Sequence, residues 1–339
     1  MFGIGNALAA VTYLPIGFAA DRWGNKQMLV ATWFASMLGA AAFLPLSDWR
    51  CSIIGSFLYW VGSAAFPLLS SHLAATTPRA RLGGELGIVY AAFWVGTIVA
   101  SPVAGRIGAE FGLRGGLAIA VVAFVLSAFA TLWLRYVPPP PATASPALPR
   151  SFWILLAVTP LAALISVITG PLFPVYVRDV AAIPLENVGV YVGLVALGAA
   201  LGGALNGRIS DAVGPVPAIV GAGAVLTVGA SIVAFSGQHQ TTLAIGSLLL
   251  GSQTAANPVL VAALARVLPP ARAGLGYTGF QLAYAIGFAA GGLLSGVLYD
   301  ADPLLPFLVQ VALALPVTVT VAAIVSRVLR SRSALASPS

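Results

Sequence analysis

Eleven apolar runs constrain the fold of this chain more than any other feature. Each is about as long as the 20 residues that a helix needs to cross a bilayer core. Short segments that carry most of the charges separate them. Backbone polar groups find no partners in lipid, so each run is expected to be a helix. The sequence predicts an all-α polytopic membrane protein with spans at Phe2–Ala20, Met28–Leu46, Ser52–Ser71, Leu86–Ile107, Leu117–Tyr136, Phe152–Val177, Val188–Asn206, Pro217–Phe235, Thr241–Leu264, Leu275–Tyr299 and Leu304–Val328.

The composition excludes a soluble globule. Hydrophobic residues make up 59% of the 339 residues and charged residues 7%, against roughly 45–50% and 25% in soluble domains. A soluble interior of this size cannot cover so much apolar surface. Lipid must therefore be the solvent for most of it.

The basic residues predict the orientation of the chain. Twelve of the 16 lysine and arginine residues fall on one side of the predicted spans, and Arg50, Arg106, Arg114 and Arg178 fall on the other. The positive-inside rule makes the first side cytoplasmic, with the C-terminus cytoplasmic and the N-terminus outside. It also accounts for the net charge of +7. No clustered basic face is present, so no nucleic-acid partner is predicted.

A proline-rich segment divides the chain. Residues 138–141 are four consecutive prolines, which cannot continue a helix and favour an extended spacer. We expect an N-terminal bundle over residues 1–137, a cytoplasmic linker over 138–150, a C-terminal bundle over 151–330 and a disordered tail over 331–339.

A short motif occurs twice, which suggests two homologous halves. Residues 17–26 read GFAADRWGNK, and residues 207–214, which begin 190 residues later, read GRISDAVG. Both copies have glycine, three residues, aspartate, two residues and glycine. A second pair of segments, Ala80–Gly83 and Ala271–Gly274, repeats at an offset of 191.

The first copy resembles motif A of the major facilitator superfamily of secondary transporters, which lies between the second and third helices of that family. The resemblance covers the chain from the second family helix onward. It implies two pseudo-symmetric bundles and twelve helices, of which eleven are present and the first would precede Met1; a natural eleven-helix variant is the alternative. It also implies a conformational gate at Gly17, Asp21, Arg22, Gly24, Lys26, Gly207, Arg208, Asp211 and Gly214.

The same resemblance selects the helices that would line a substrate cavity. Polar and aromatic residues on those helices could hydrogen-bond or stack a small neutral solute. No ionisable residue lies near the middle of any span, and Leu58 stands where proton-coupled antiporters of the family usually carry arginine. Proton coupling, sodium coupling and facilitated diffusion without a coupling ion all stay open. The candidate cavity residues are Asn6, Tyr13, Tyr59, Trp60, Tyr90, Trp94, Thr169, Tyr191, Gln253, Asn257, Gln281 and Tyr284.

The resemblance implies a monomeric secondary active transporter of the cell membrane, which moves a drug-like solute, a sugar or a metabolite by alternating access, with efflux favoured. The excess of arginine over lysine is typical of a GC-rich bacterial genome, so a bacterial inner membrane is expected. A non-transporting sensor or scaffold and an inactive truncated fragment are the alternatives. The two histidines, His72 and His239, have no carboxylate or metal-ligand spacing around them. No enzyme activity, metal or cofactor is predicted.

Overall fold

The computed structural model describes residues 2–44, 49–76, 79–136, 147–269 and 273–336, and within these ranges the chain folds into helices joined by turns. Three interruptions have 3₁₀ geometry, at Gly62–Ala64, Gly170–Leu172 and Gly251–Thr254. The first half contains α1 (Phe2–Trp23), α2 (Asn25–Ala41), α3 (Trp49–Val61), α4 (Ala65–Thr76) and α5 (Arg79–Ala130). The second half contains α6 (Arg150–Val167), α7 (Phe173–Asp179), α8 (Leu185–Val213), α9 (Pro215–Phe235), α10 (Gln240–Leu250), α11 (Asn257–Val267), α12 (Ala273–Ala301) and α13 (Leu305–Ala336).

The predicted spans coincide with helices of the structure, and three of them, Ser52–Ser71, Phe152–Val177 and Thr241–Leu264, each cover two helices separated by a 3₁₀ turn. Nine stretches of the described residues are long and apolar enough to cross a membrane, and α1 adds the shorter apolar stretch Val11–Ala20. The predicted spans Leu86–Ile107 and Leu117–Tyr136 both fall in α5, which is two helices separated at Gly112, where the backbone is not helical (φ 69°, ψ −178°). Hydropathy reports the length of apolar runs, so it located this break between two spans and missed the 3₁₀ turns inside single spans.

Two one-residue turns show that the halves share a backbone plan. Gly24 joins α1 to α2 with φ 97° and ψ 150°, and Gly214 joins α8 to α9 with φ 95° and ψ 169°. In each turn the glycine N–H donates to the carbonyl four residues earlier, on Ala20 or Ser210. A side chain would strain a backbone at positive φ, which explains why the repeated motif keeps glycine here.

The fourth helix of each half, counted by the family pattern, is broken at equivalent places. The turn Gly62–Ala64 separates α3 from α4, and the turn Gly251–Thr254 separates α10 from α11. Gly251 and Ser252 lie 189 residues after Gly62 and Ser63. The repeat therefore includes the helix break as well as the loop motif, and the molecule consists of two pseudo-symmetric bundles.

The two bundles meet along two pairs of helices. α1 packs against α12, and α5 packs against α8. Within the first bundle α2 packs on α3 and α5, and within the second α6 packs on α12 while α9 packs on α13. The largest buried clusters lie in the second bundle, where the rings of Tyr176 and Phe307 are 4.5 Å apart.

The C-terminal end differs from the expectation. α13 continues to Ala336, six residues into the segment that was expected to be disordered from residue 331. Arginine and alanine in this segment are good helix formers, so the helix extends past the apolar run. Most of the proline-rich linker, residues 138–146, lies outside the described residues, as do residues 337–339.

Candidate functional site

The first copy of the motif lies where α1 meets α12. A Cβ on Gly17 would be 3.4 Å from the Thr278 Cγ2 atom of α12, so glycine permits the close approach of these helices. Arg22 is exposed at the end of α1. The backbone of Asp21 is helical, but its side chain lies outside the described part of the structure.

Lys26 ties the start of α2 to the end of α5. The Lys26 Nζ atom donates a hydrogen bond of 2.9 Å to the Leu132 carbonyl in the 3₁₀ turn that follows α5, in the same half. The last carbonyls of a helix have no partner within it and attract cations. The turn at Gly24 brings the first residues of α2 to this helix end.

Asn25 is a further residue of this region, which the sequence did not single out. Its Nδ2 atom donates to the Ser71 Oγ atom at 3.2 Å, which ties the start of α2 to α4. Its position inside the repeated motif is the signal that could have identified it.

The second copy of the motif is more open. Arg208 and Asp211 are exposed, and a Cβ on Gly207 or Gly214 would meet no atom within 4 Å. Gly214 keeps the positive-φ backbone conformation of Gly24 in the first copy. The structure therefore reproduces the turn of the motif without reproducing its side-chain contacts.

A small cavity lies at the α1–α12 seam. Tyr13 is 8% exposed, and its hydroxyl donates to the Ser63 Oγ atom at 3.1 Å. Gly17, Ser71 and Thr278 line the cavity with it, around about 40 Å³ of space for the centre of a water molecule. Of the candidate residues in the first half, Tyr13 is the one that borders this space.

The other aromatic candidates of the first half make packing contacts. The Tyr59 ring is perpendicular to that of Trp60 at 5.7 Å and lies 5.5 Å from Phe124 of α5. Trp94 packs against the neighbouring Phe93 ring at 5.0 Å. The side chains of Asn6 and Tyr90 lie outside the described part of the structure.

Thr169 and Tyr191 are buried in the second bundle. The Thr169 hydroxyl donates to the Gln310 Oε1 atom at 2.8 Å, and Gln310 Nε2 donates to the Ile165 carbonyl at 2.8 Å. Tyr191 belongs to the largest buried cluster. Gln310 was missed, although it is the only amide in the predicted span Leu304–Val328. These bonds join α13 to the interruption between α6 and α7.

The two amide-bearing pairs behave differently. Gln281 and Tyr284, three residues apart, both lie in the unbroken helix α12 and so share a face of it, and Tyr284 stacks between Phe280 and Phe288. Gln253 and Asn257, four residues apart, do not share a regular helix face, because Gln253 lies in the 3₁₀ turn and Asn257 begins α11. Gln253 borders a second, partly open cavity in the second bundle.

Comparison with known proteins identifies the family. Residues 1–162 and 155–338 each match the sequence profile of the Major Facilitator Superfamily. The chain belongs to this superfamily and is an integral membrane transporter. The two matches correspond to the two halves that the repeated turns define.

Solved transporters have the same fold. A peptide transporter superposes with a TM-score of 0.76 at 15% identity, over 97% of this chain and 85% of that one. The human organic anion transporter MFSD10 gives 0.65 at 16% identity, over 96% and 82%. The E. coli fucose:proton symporter FucP gives 0.63 at 16% identity, over 98% and 91%.

One curated relative is matched over a shorter stretch. The uncharacterized transporter slc-17.2 of Caenorhabditis elegans is 24% identical over 124 residues, which are 34% of this chain and 24% of that protein. The matched part is thus about a quarter of the length of that relative.

Proposed function

We propose that this protein is a secondary transporter that moves a small organic solute across the membrane by alternating access, with export as the favoured direction. The observation that carries the proposal is the construction of the seam between the halves. Two pseudo-equivalent helix pairs, α1 with α12 and α5 with α8, join the bundles. Rocking of one bundle against the other at such a seam would expose a central site to each side in turn.

Small residues bring the helices of the seam close together. A Cβ on Gly105 of α5 would be 3.3 Å from the Glu186 carbonyl oxygen of α8, and a Cβ on Gly193 of α8 would be 3.3 Å from the Ile98 carbonyl oxygen. Contacts of this kind depend on backbone approach and not on interlocked long side chains. They support a seam that can tilt without breaking strong bonds.

The first motif is the proposed gate. Gly17 contacts α12, Gly24 fixes the turn, and Lys26 with Asn25 fixes the start of α2 to α5 and α4. The cluster would hold the expected cytoplasmic end of α1 in one orientation relative to the rest of its bundle. Asp21 would complete the gate through the first N–H groups of α2, as the resemblance implies.

The polarity of the seam cavity supports a neutral or weakly polar solute. Its polar lining groups are hydroxyls, on Tyr13, Ser71 and Thr278, and none of the described residues that border it is charged. Hydroxyls can both donate and accept hydrogen bonds, which suits a solute with several polar groups. The similar proteins are described as transporters of peptides, organic anions and fucose. Small organic molecules of these three kinds are therefore the solutes to test.

The test is solute movement in proteoliposomes that contain the purified chain. Labelled dipeptides, organic anions and hexoses are measured for uptake and efflux, with Asp21→Asn as the gate variant. Asp300→Asn is the matched control, because Asp300 is an exposed carboxylate at the opposite end of its span. We expect Asp21→Asn to slow transport and Asp300→Asn to leave it unchanged. If no solute moves while the protein stays folded, the sensor or scaffold alternative replaces this proposal.

A further inference from the structure

The fold joins two distant segments at one end of the first bundle. The Lys26 Nζ atom, in the first turn of α2, donates to the Leu132 carbonyl, 106 residues away in the sequence. A Cβ on Gly24 would be 3.5 Å from the Tyr136 ring. The turn between α1 and α2 therefore lies against the segment that follows α5.

Both segments bring basic residues to this junction, and we call Arg22, Lys26 and Arg135 the basic patch. Arg22 and Arg135 are exposed, and Lys26 is half-buried. None of the three forms an ion pair with a carboxylate of the described residues. The nearest carboxylate in the sequence is that of Asp21, and three basic residues against this one acid leave a net charge of +2. The junction therefore attracts anions.

The side chains of the basic patch have N–H groups left for a ligand. An ammonium group has three N–H donors, of which the Leu132 carbonyl takes one at Lys26. The guanidinium groups of Arg22 and Arg135 donate to none of the described residues. A guanidinium presents its donors as a planar fork that matches two oxygen atoms of a phosphate. The patch is therefore suited to a phosphate group.

Aromatic residues indicate that this phosphate belongs to a lipid. Trp23, Trp133 and Tyr136 lie beside the basic residues, and all three are exposed, Trp133 by 84%. Exposed tryptophan and tyrosine at helix ends are typical of the level of lipid headgroups. Phe18 is exposed on the same face of α1 as Arg22, one turn closer to the middle of the span, where an acyl chain would lie.

The second half lacks this combination of residues. At offsets of 190 and 191, the positions equivalent to the three basic and three aromatic residues hold one basic residue and no aromatic residue. They are Ala212, Val213, Val216, Ile324, Ser326 and Arg327. A Cβ on Gly214 would meet none of the described atoms within 4 Å, so the turn has no counterpart of the Tyr136 ring against it. The patch is therefore a property of the first half and not of the repeated backbone.

We propose that the junction binds one anionic phospholipid, whose phosphate is held by Arg22, Lys26 and Arg135 while Trp23 and Trp133 flank its glycerol region. Basic residues near the membrane surface bind anionic headgroups by charge attraction. A lipid in this place would fasten the turn between α1 and α2 to the segment after α5. This binding does not depend on the proposed transport.

The experiment measures lipid binding by the full chain in detergent, without any transported solute. Retention of radiolabelled phosphatidylglycerol on the immobilised protein gives the affinity, with unlabelled phosphatidylglycerol, phosphatidylcholine and inorganic phosphate as competitors. We expect phosphatidylglycerol alone to displace the label, and binding to weaken as salt is raised. Displacement by phosphatidylcholine would show general contact with lipid, and displacement by inorganic phosphate would show a simple anion site. Either result overturns the proposal, whereas a failure to transport solutes leaves it standing.

Two exposed arginines provide a matched pair of variants. Arg135 belongs to the basic patch, whereas Arg208 lies in the second copy of the motif, and either change to glutamine removes one positive charge. We expect Arg135→Gln to weaken phosphatidylglycerol binding about fivefold, Arg135→Lys to weaken it less, and Arg208→Gln to leave it unchanged. Unfolding midpoints in phosphatidylcholine micelles check that the variants fold alike. Equal affinities of Arg135→Gln and Arg208→Gln for the lipid would overturn the proposal.

Discussion

The two broken helices, α3–α4 and α10–α11, differ in what fills the break. In the first half Ser63 accepts a hydrogen bond from Tyr13 and donates to the Trp60 carbonyl at 2.6 Å. Its counterpart Ser252 lies 3.7 Å, measured at its Cα atom, from where a Cβ of Gly202 would lie. The motifs of α1 and α8 are 190 residues apart, which places Gly203 at the position of Tyr13, so the second half lacks the hydroxyl that satisfies the first. Side-chain hydrogen bonds close the break in the first half, whereas in the second the Oγ atom of Ser252 and the Oε1 atom of Gln253 have no partner among the described residues.

A second pair of residues shows the same difference. In the first half Ser36 of α2 donates to the Tyr59 carbonyl at 3.0 Å, just before the break. At the equivalent place in α9 stands Leu226, which offers no hydrogen bond and borders the cavity next to Gln253. The comparison teaches that the repeat preserves the path of the chain, while single side chains decide whether the break is closed by hydrogen bonds.

The largest expected difference concerns the glycines at the two breaks. A Cβ on Gly251 would meet only backbone of α8, including the Gly198 carbonyl carbon at 2.6 Å, whereas a Cβ on Gly62 would meet the Ser36 side chain. Backbone cannot move aside, so we expect Gly251→Ala to cost about 3 kcal/mol of unfolding free energy and Gly62→Ala about 1 kcal/mol. Unfolding in detergent with increasing denaturant measures both.

A compensating change sharpens this prediction. Ser36→Ala combined with Gly62→Ala should recover much of the stability lost in Gly62→Ala, because it removes the hydroxyl that the new methyl group would overlap. Equal costs for Gly62→Ala and Gly251→Ala would show that the two breaks are packed alike, contrary to the comparison.

Alanine substitutions in the two one-residue turns should have more similar effects on stability. Alanine at Gly24 or Gly214 would force a side chain onto a backbone at φ 97° or 95°, which costs about 1–3 kcal/mol at either position. We expect Gly24→Ala to cost more, because its Cβ would lie 2.7 Å from the Gln27 Oε1 atom, whereas Gly214 has open space. Thermal unfolding midpoints of both variants, and of Gly24→Ala with Gln27→Ala, measure the difference. A larger loss in Gly214→Ala would contradict the geometry.

Alanine substitutions of the equivalent serines Ser63 and Ser252 should change stability less than the glycine substitutions do. Here the larger loss is expected in the first half. Ser63→Ala removes two hydrogen bonds and leaves Tyr13 without its acceptor, for a loss of about 1 kcal/mol. Ser252→Ala removes an oxygen that has no partner in the described structure, so it should not lower stability. The measurement is unfolding of both variants in the same detergent. A loss in Ser252→Ala as large as that in Ser63→Ala would indicate a protein partner for Ser252.

The smallest effect is expected from the basic residues of the two motifs. Lys26→Met removes the bond to the Leu132 carbonyl and should cost less than about 1 kcal/mol, with the loss shrinking at high salt. Arg208→Met, in the second motif, should cost still less because Arg208 is fully exposed. A salt titration of the unfolding midpoint separates the two. If Lys26→Met unfolds at the same midpoint as the unsubstituted protein at low salt, the bond to Leu132 does not stabilise the gate.

Much of the fold followed from the sequence because lipid imposes simple rules. The eleven spans follow from apolar length, and the motif at residues 17–26 with its repeat located both one-residue turns. The breaks at Gly62 and Gly251 could not be predicted, because they depend on how closely α2 and α8 approach.

The site residues were harder to predict because a polar residue in a span has several possible partners. Tyr13 borders a cavity, but the Thr169 hydroxyl donates its hydrogen bond to Gln310, 141 residues away in sequence. Asn206 likewise donates to the Ala255 carbonyl at 2.7 Å, at the helix break. Such pairs join distant segments, and no local pattern distinguishes them from substrate ligands.

The exposed surface of α5 has a practical consequence for handling the protein. No residue of Ala92–Gly112 is buried, and Val95, Val99 and Val103 form a ridge of branched side chains along one line of the helix. In a bilayer, acyl chains cover this ridge. After extraction a micelle must do so, and short detergent tails cover a long helix poorly. Detergent tail length is therefore expected to decide whether the first half of the purified protein keeps its structure, before any ligand is added.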